Sequence, residues 1–205
     1  MEVYKTPLEK ILIREVTRIA KVCYERGWCF GTAGNFSVRV RNDLIWQSPS
    51  SKNKGQLKEE NFIPIDISTG KKQEGMLYSL PSLEMPVHLC IYKMRPQARV
   101  ILHCHPPHLV KFSQTHQEHS IKFGGAEMVK ALGAREFSDL IECGVIPNLS
   151  SKEMENLTSL EGKIMAVPAI VLRGHGIYAW GHDVEEALGI IEAMEFILHT
   201  TYFNQ

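Results

Sequence analysis

Leu8, Leu12, Val16, Ile19, Ala20 and Cys23 recur at helical spacing between charged residues. This predicts an amphipathic helix over residues 8–26 that Gly27 stops. From Phe36 to Val40 the pattern changes to alternating and β-branched, and Leu44 to Trp46 repeats it after the turn signal Arg41-Asn42-Asp43. These two runs predict a hairpin. Phe62–Ile67 reads as a further short strand before the polar turn 68–72, and Ser82 as the N-cap of a helix reaching about Met94 with Pro86 in its first turn. The apolar run Ala98–Leu102 predicts a buried strand ending in His103-Cys104-His105-Pro106-Pro107, where the prolines stop the ladder and open a helix. Gly124–Leu132 reads as a short helix, Val145–Leu149 as a strand, and Ile164–Arg173 as a buried strand entering Gly174-His175-Gly176. Asp183 and Glu186 frame a capping box, and Ala187, Ile190, Ile191, Met194 and Ile197 carry a long last helix.

Strands and helices alternate without repeat or linker, which predicts one three-layer α/β domain spanning 1–205. The composition agrees: 205 residues, 44% hydrophobic and 22% charged, belong to a globular chain. Its 23 basic and 23 acidic residues cancel, so the chain lacks the basic footprint of a nucleic-acid or anionic-membrane binder. Any anion must be met by local donors. Five scattered cysteines without a C-x-x-C spacing argue against a disulfide framework. The opening MEVYKTPLEK has no apolar signal core, and no run is long enough to span a bilayer, so the expected address is the cytoplasm.

His103 and His105, one residue apart at a strand end, leave the same face and can converge on one ion. His175, between two glycines after another buried strand, is the natural third ligand, and three imidazoles with an open position describe a catalytic zinc or similar divalent site. Cys104 points to the opposite face from its neighbours, which removes the fourth ligand a closed structural site would need. His108, His116, His119, His182 and His199 are expected on the solvated surface, and His88 in the core or supporting the ligands from behind. Gly31-Thr32-Ala33-Gly34-Asn35 and Ser48-Pro49-Ser50-Ser51-Lys52 offer backbone N–H groups and hydroxyls to a phosphate, although plain turns explain them equally well. Glu127, read from spacing alone, is a solvated helix-face carboxylate.

Taken in order, GTAGNFS (31–37), SPSS (48–51), PSLE (81–84), HCH (103–105) and RGHG (173–176) resemble the class II aldolase and adducin head superfamily. The resemblance covers nearly the whole chain. It implies an α/β/α domain around a mainly antiparallel sheet, assembled as a homotetramer with sites at subunit interfaces. It further implies one Zn2+ per chain on His103, His105 and His175, and a phosphorylated sugar held by Thr32, Gly34, Asn35, Ser50 and Ser82, with Glu84 beside the metal. Within the superfamily, GTAGNFSVRV, SPSSKNKGQL, RGHGIYAWG and above all FGGAEMVKALG (123–133) look like the methylthioribulose-1-phosphate dehydratases. That likeness implies methionine salvage as the setting and Glu127 as the acid/base. Ser51 stands where the family usually has glycine, and Met85 and Pro86 alter the wall beside Glu84. The rival expectations are a sugar-phosphate aldolase or epimerase, in which Glu84 is prominent, and an adducin-like binding domain that has lost its chemistry. The second would be marked by missing metal ligands, and all three are present.

Overall fold

The computed structural model describes residues 5–72 and 80–203. An eight-stranded sheet runs through it, built from β1 (Asn35–Arg41), β2 (Leu44–Gln47), β3 (Ile63–Asp66), β4 (Val100–Cys104), β5 (Ser120–Phe123), β6 (Ile141–Ile146), β7 (Ala169–Leu172) and β8 (Gly176–Gly181). Their spatial order is β3-β2-β1-β4-β8-β7-β6-β5. Every pairing is antiparallel except β6 with β7.

The pleat divides β2, β4, β6, β7 and β8 between two cores. Val100, Leu102 and Cys104 of β4, with Phe36 and Val38 of β1, pack against α1 (Pro7–Glu25), α3 (Pro107–Thr115) and α5 (Val184–Leu198). Ile101 of β4 and Tyr178 of β8 face α2 (Met85–Met94) and α4 (Ser151–Glu155) instead. This is the three-layer α/β arrangement the patterning predicts. Helix α1 begins at a capping box in which Thr6 Oγ1 accepts from the Glu9 amide at 3.3 Å and Glu9 Oε2 accepts from the Thr6 amide at 2.8 Å. No helix among the described residues is long and apolar enough to cross a membrane.

Several boundaries differ from the sequence reading. Helix α2 is capped at Glu84 rather than Ser82, because the Ser82 hydroxyl accepts from the Glu84 amide and makes a tight turn ahead of the helix. The strand expected over 145–149 is Ile141–Ile146, ended by Pro147, which cannot continue the ladder. The run 164–173 is a strand only over Ala169–Leu172. The short turn after it returns as β8, absent from the sequence reading along with β5 and α4. The helix expected over Gly124–Leu132 is one 3-10 segment, Glu127–Leu132.

Candidate metal centre

The strand directions bring the site together. β4 and β7 end, and β1 and β8 begin, at one edge of the sheet, with Asn35 in register with His103 and Leu172 with Gly176. His103 occupies the penultimate position of β4, and His105 follows it by one pleat, its amide donating to the Trp28 carbonyl at 2.9 Å. His175 stands at the tip of the β7–β8 turn. Gly176 allows the turn to close against β4, since a Cβ there would lie 2.5 Å from the Cys104 carbonyl oxygen and 2.8 Å from His105 Cδ2. A glycine is required there by contact, not by conformation.

One ligating atom from each of His103, His105 and His175 lies within 4.8 Å of the others. The orientation of two rings is set from behind, His103 Nδ1 by the Ile177 carbonyl at 3.0 Å and His175 Nδ1 by Asn148 Oδ1 at 2.9 Å. Each Nδ1 faces an acceptor and so carries the proton, which leaves the lone pair on Nε2. His103 Nε2 and His105 Nε2 are 3.1 Å apart, and His175 Nε2 lies 3.1 Å from Glu84 Oε1. Nitrogen lone pairs and a carboxylate converging on one point need a cation between them. Burial, with the neighbouring His103 and His175, pushes the His105 pKa down to about 3, so this imidazole is neutral and ready to ligate. The residues therefore fit a divalent ion. Cys104 is buried in the opposite core and cannot join them.

Glu84 spans the site, with Oε2 3.2 Å from His103 Nε2 and Oε1 facing His175, and it also accepts a hydrogen bond from Asn35 Nδ2. Burial opposes its charge, which the Asn35 amide and a cation held by the imidazoles would offset. Its buried neighbour Tyr178 stacks on His103, centroids 4.0 Å apart.

A pocket of about 300 Å³ opens beside the histidines, and its wall contains Thr32, Gly34, Asn35, Ser50, Ser82 and Glu84 together with His105 and His175. All six predicted substrate-side residues thus border one cavity. The loop at Gly34 presses against the metal strand, where an added Cβ would lie 2.8 Å from the His103 carbonyl, and its φ is +78°. The Asn35 side chain is buried and hydrogen-bonded to Glu84 and His88. Beneath the two loops lies Lys54, fully buried, whose Nζ donates to the Thr32 carbonyl at 2.9 Å and the Lys52 carbonyl at 2.7 Å. Burial pushes its pKa down to about 8. Ser51 has φ +55°, the one positive value for a non-glycine among the described residues, at the position where the resemblance leads one to expect glycine.

The model of the class II aldolase and adducin N-terminal domain matches residues 14–202. The chain belongs to this family. Among curated relatives, a methylthioribulose-1-phosphate dehydratase of Enterobacter sp. (strain 638) is 31% identical over 191 residues, 89% of this chain and 91% of that protein. One of Leptospira biflexa serovar Patoc (strain Patoc 1 / Ames) is 29% identical over 201 residues, 91% and 94% of the two chains. Among solved structures, the fold matches YgbL from Escherichia coli with TM-score 0.79 at 22% identity, covering 96% of this chain and 91% of that one. It also matches l-fuculose-1-phosphate aldolase from Thermus thermophilus with TM-score 0.71 at 24% identity, covering 94% of each.

Against this class II aldolase framework Glu127 stands apart. It opens the 3-10 segment after β5, its side chain is 73% exposed, and it pairs with Lys130 at 2.6 Å. Phe123, which ends β5, pairs with Ile141 at the start of β6, and β6 runs parallel to β7 toward His175. The chain therefore leaves β5 at the sheet edge opposite the histidines, and Glu127 does not border the pocket within one chain. His108 and His199, expected on the surface, are instead half-buried and joined to Glu195, with His108 Nδ1 2.7 Å from Glu195 Oε1 and its Nε2 2.9 Å from His199 Nδ1. The Glu195 carboxylate also accepts from the amides of His108 and Leu109, satisfying the start of α3. Lys54 and Asn148 were not singled out from the sequence. Lys54 sits between Asn53 and Gly55, neighbours that give no sequence signal of burial.

Proposed function

We propose that this chain dehydrates 5-methylthioribulose 1-phosphate to 2,3-diketo-5-methylthiopentyl 1-phosphate, as a zinc-dependent homotetramer acting in methionine salvage in the cytoplasm. The observation that carries the reading is the gathering of three imidazoles, a carboxylate and the hydroxyl-bearing loops around one pocket. The dehydratases named above, alike along nine-tenths of the chain, give it a substrate.

His103, His105 and His175 would hold the ion, whose chemistry is Lewis-acid stabilisation of negative charge on a substrate oxygen. The loops at Thr32, Ser50 and Ser82 bind the phosphate, with Lys54 supplying positive charge beneath a pocket whose lining holds neither lysine nor arginine. Loss of water requires the C3 proton to leave and the C4 hydroxyl to depart protonated. Glu84, anionic and beside two of the imidazoles, is the carboxylate already in place for proton transfer. Glu127 takes the acid/base role implied by its FGGAEMVKALG setting at the pocket of a second copy, because its own pocket is at the other edge of the sheet. This is why we read the active unit as the oligomer, with residues 1–205 of each copy forming one domain.

The position of Glu84 favours a second reading, a sugar-phosphate aldolase or epimerase that breaks or inverts a carbon centre with this carboxylate alone. Turnover of methylthioribulose 1-phosphate measured beside fuculose 1-phosphate and ribulose 1-phosphate, with metal analysis of the same sample, separates the two. Water release from the first substrate alone is expected, and cleavage of either other sugar phosphate at a higher kcat/KM overturns the dehydratase reading.

A further inference from the structure

Two stripes of polar side chains meet inside the molecule, between the sheet and α2. Glu84, His88 and Tyr92 follow one another at intervals of four along the helix, and Asn35 and Ser37 at an interval of two along β1. The helical and strand periods bring them into a continuous chain of hydrogen bonds. Tyr92 Oη is 2.9 Å from Ser37 Oγ, Ser37 Oγ is 2.7 Å from His88 Nδ1, His88 Nε2 meets Asn35 Oδ1, and Asn35 Nδ2 meets Glu84. His88, Ser37 and Tyr92 are buried at 0%, 0% and 1% exposure.

The direction of this chain follows from its end. A carboxylate only accepts, so the Asn35 group facing Glu84 is the NH2, and its carbonyl must face His88. His88 therefore donates from Nε2. The ring is wholly buried with no carboxylate in hydrogen-bond contact, which keeps it neutral, so Nδ1 is an acceptor and the Ser37 hydroxyl donates to it. Ser37 in turn is left to accept from Tyr92. Every donor points toward Glu84, and reversal of any one link would turn the Asn35 carbonyl onto a carboxylate.

We propose that His88 is a positioning residue, which sets the Asn35 amide so that it donates to Glu84 and holds that carboxylate at the pocket, with Ser37 and Tyr92 fixing the tautomer of His88. It rests on the proposed function only in taking Glu84 as a working group of the site. It is independent of which sugar phosphate is turned over. Outer partners that orient a site in this way are worth about 10- to 100-fold in activity.

The test combines spectroscopy with a pair of variants. In protein labelled with 15N-histidine, the His88 signal, identified by its loss in His88→Gln, is expected to show a protonated Nε2 and an unprotonated Nδ1. His88→Leu is expected to lower kcat by about 10- to 100-fold with KM changed less than about twofold and metal content unchanged. His88→Gln keeps a donor to Asn35 Oδ1 and should recover most of that loss, a rescue that simple filling of space would not give. An Nδ1–H tautomer or a doubly protonated ring overturns the proposal on the wild-type protein alone, even if His88→Leu does not fold. Equal kcat in the leucine and glutamine variants overturns it as well. If wild type turns over none of the three sugar phosphates, the functional reading fails while the tautomer measurement still decides the role of His88.

Discussion

Two glutamates, Glu84 and Glu127, occupy opposite conditions in this molecule. Glu84 has a side chain 19% exposed, is fixed by Asn35, and lies against the imidazoles of His103 and His175. Glu127 is 73% exposed on a 3-10 segment, with one lysine as partner. The first is organised by the chain's own fold down to the tautomer of a histidine two residues behind it in the hydrogen-bond chain. The second has no such support, and any part it plays in chemistry must be supplied by assembly. A site can thus be half preorganised by folding and half by association, and its two carboxylates then respond differently to dilution, mixing and mutation.

The largest effects are expected at the ligands. His103→Ala, His105→Ala and His175→Ala should each lose the bound divalent ion and with it measurable turnover, as metal analysis of the purified variants will show. Full metal content in any one removes that residue from the set. Next, Glu84→Gln and Glu127→Gln should each keep the ion and the fold while losing turnover by about 10² to 10⁴, the usual worth of acid/base catalysis. Mixing sharpens the contrast: Glu127→Gln combined with His103→Ala should regain activity as mixed oligomers form, whereas Glu84→Gln combined with His103→Ala should not, because both lesions lie in the same chain's pocket. Near-normal turnover by Glu127→Gln alone would break the comparison and leave Glu84 as the working carboxylate of an aldolase-type site.

Smaller changes are expected in the loops. Lys54→Met should weaken inorganic phosphate binding by about 1 kcal/mol, roughly fivefold in Kd by titration, through loss of a buried positive charge beneath the pocket. Ser51→Gly should stabilise the chain by up to about 1 kcal/mol in denaturant melts, since glycine adopts the left-handed backbone that Ser51 holds at φ +55° with strain.

What the sequence made legible follows the strength of the local signal. The apolar run into His103-Cys104-His105 and the glycine-fenced His175 both announced strand ends, and the loop residues Thr32, Gly34, Ser50 and Ser82 came with motifs placed by family resemblance. The loop residues, His105 and His175 line one pocket, and His103 groups with the two histidines. Other elements gave weaker signals. β6 carries Glu142 and Gly144 inside a six-residue strand, and β8, which returns from β7 through a short turn, has no strand reading in the sequence. The hydrogen-bond chain behind Glu84 was hidden because it joins positions about 50 residues apart, although the spacing of Glu84, His88 and Tyr92 on one helix face was visible. The distance of Glu127 from the histidines was not legible either, because it depends on β5 running back from the metal end, and β5 is four residues long.

Lys54 carries one further consequence, in the exchange of protons with solvent. Its amine, brought down to about 8 by burial, is partly neutral in mildly alkaline solution. An anion seated on the loops above favours the charged form and lifts the pKa back up, so binding draws a proton from the buffer. The sign is fixed: phosphate affinity should decline as pH rises past 8, and the heat of binding near that pH should differ between two buffers in proportion to their ionisation enthalpies. In Lys54→Met that buffer dependence should vanish, which would make a buried lysine the group through which ligand binding is linked to proton uptake above neutral pH.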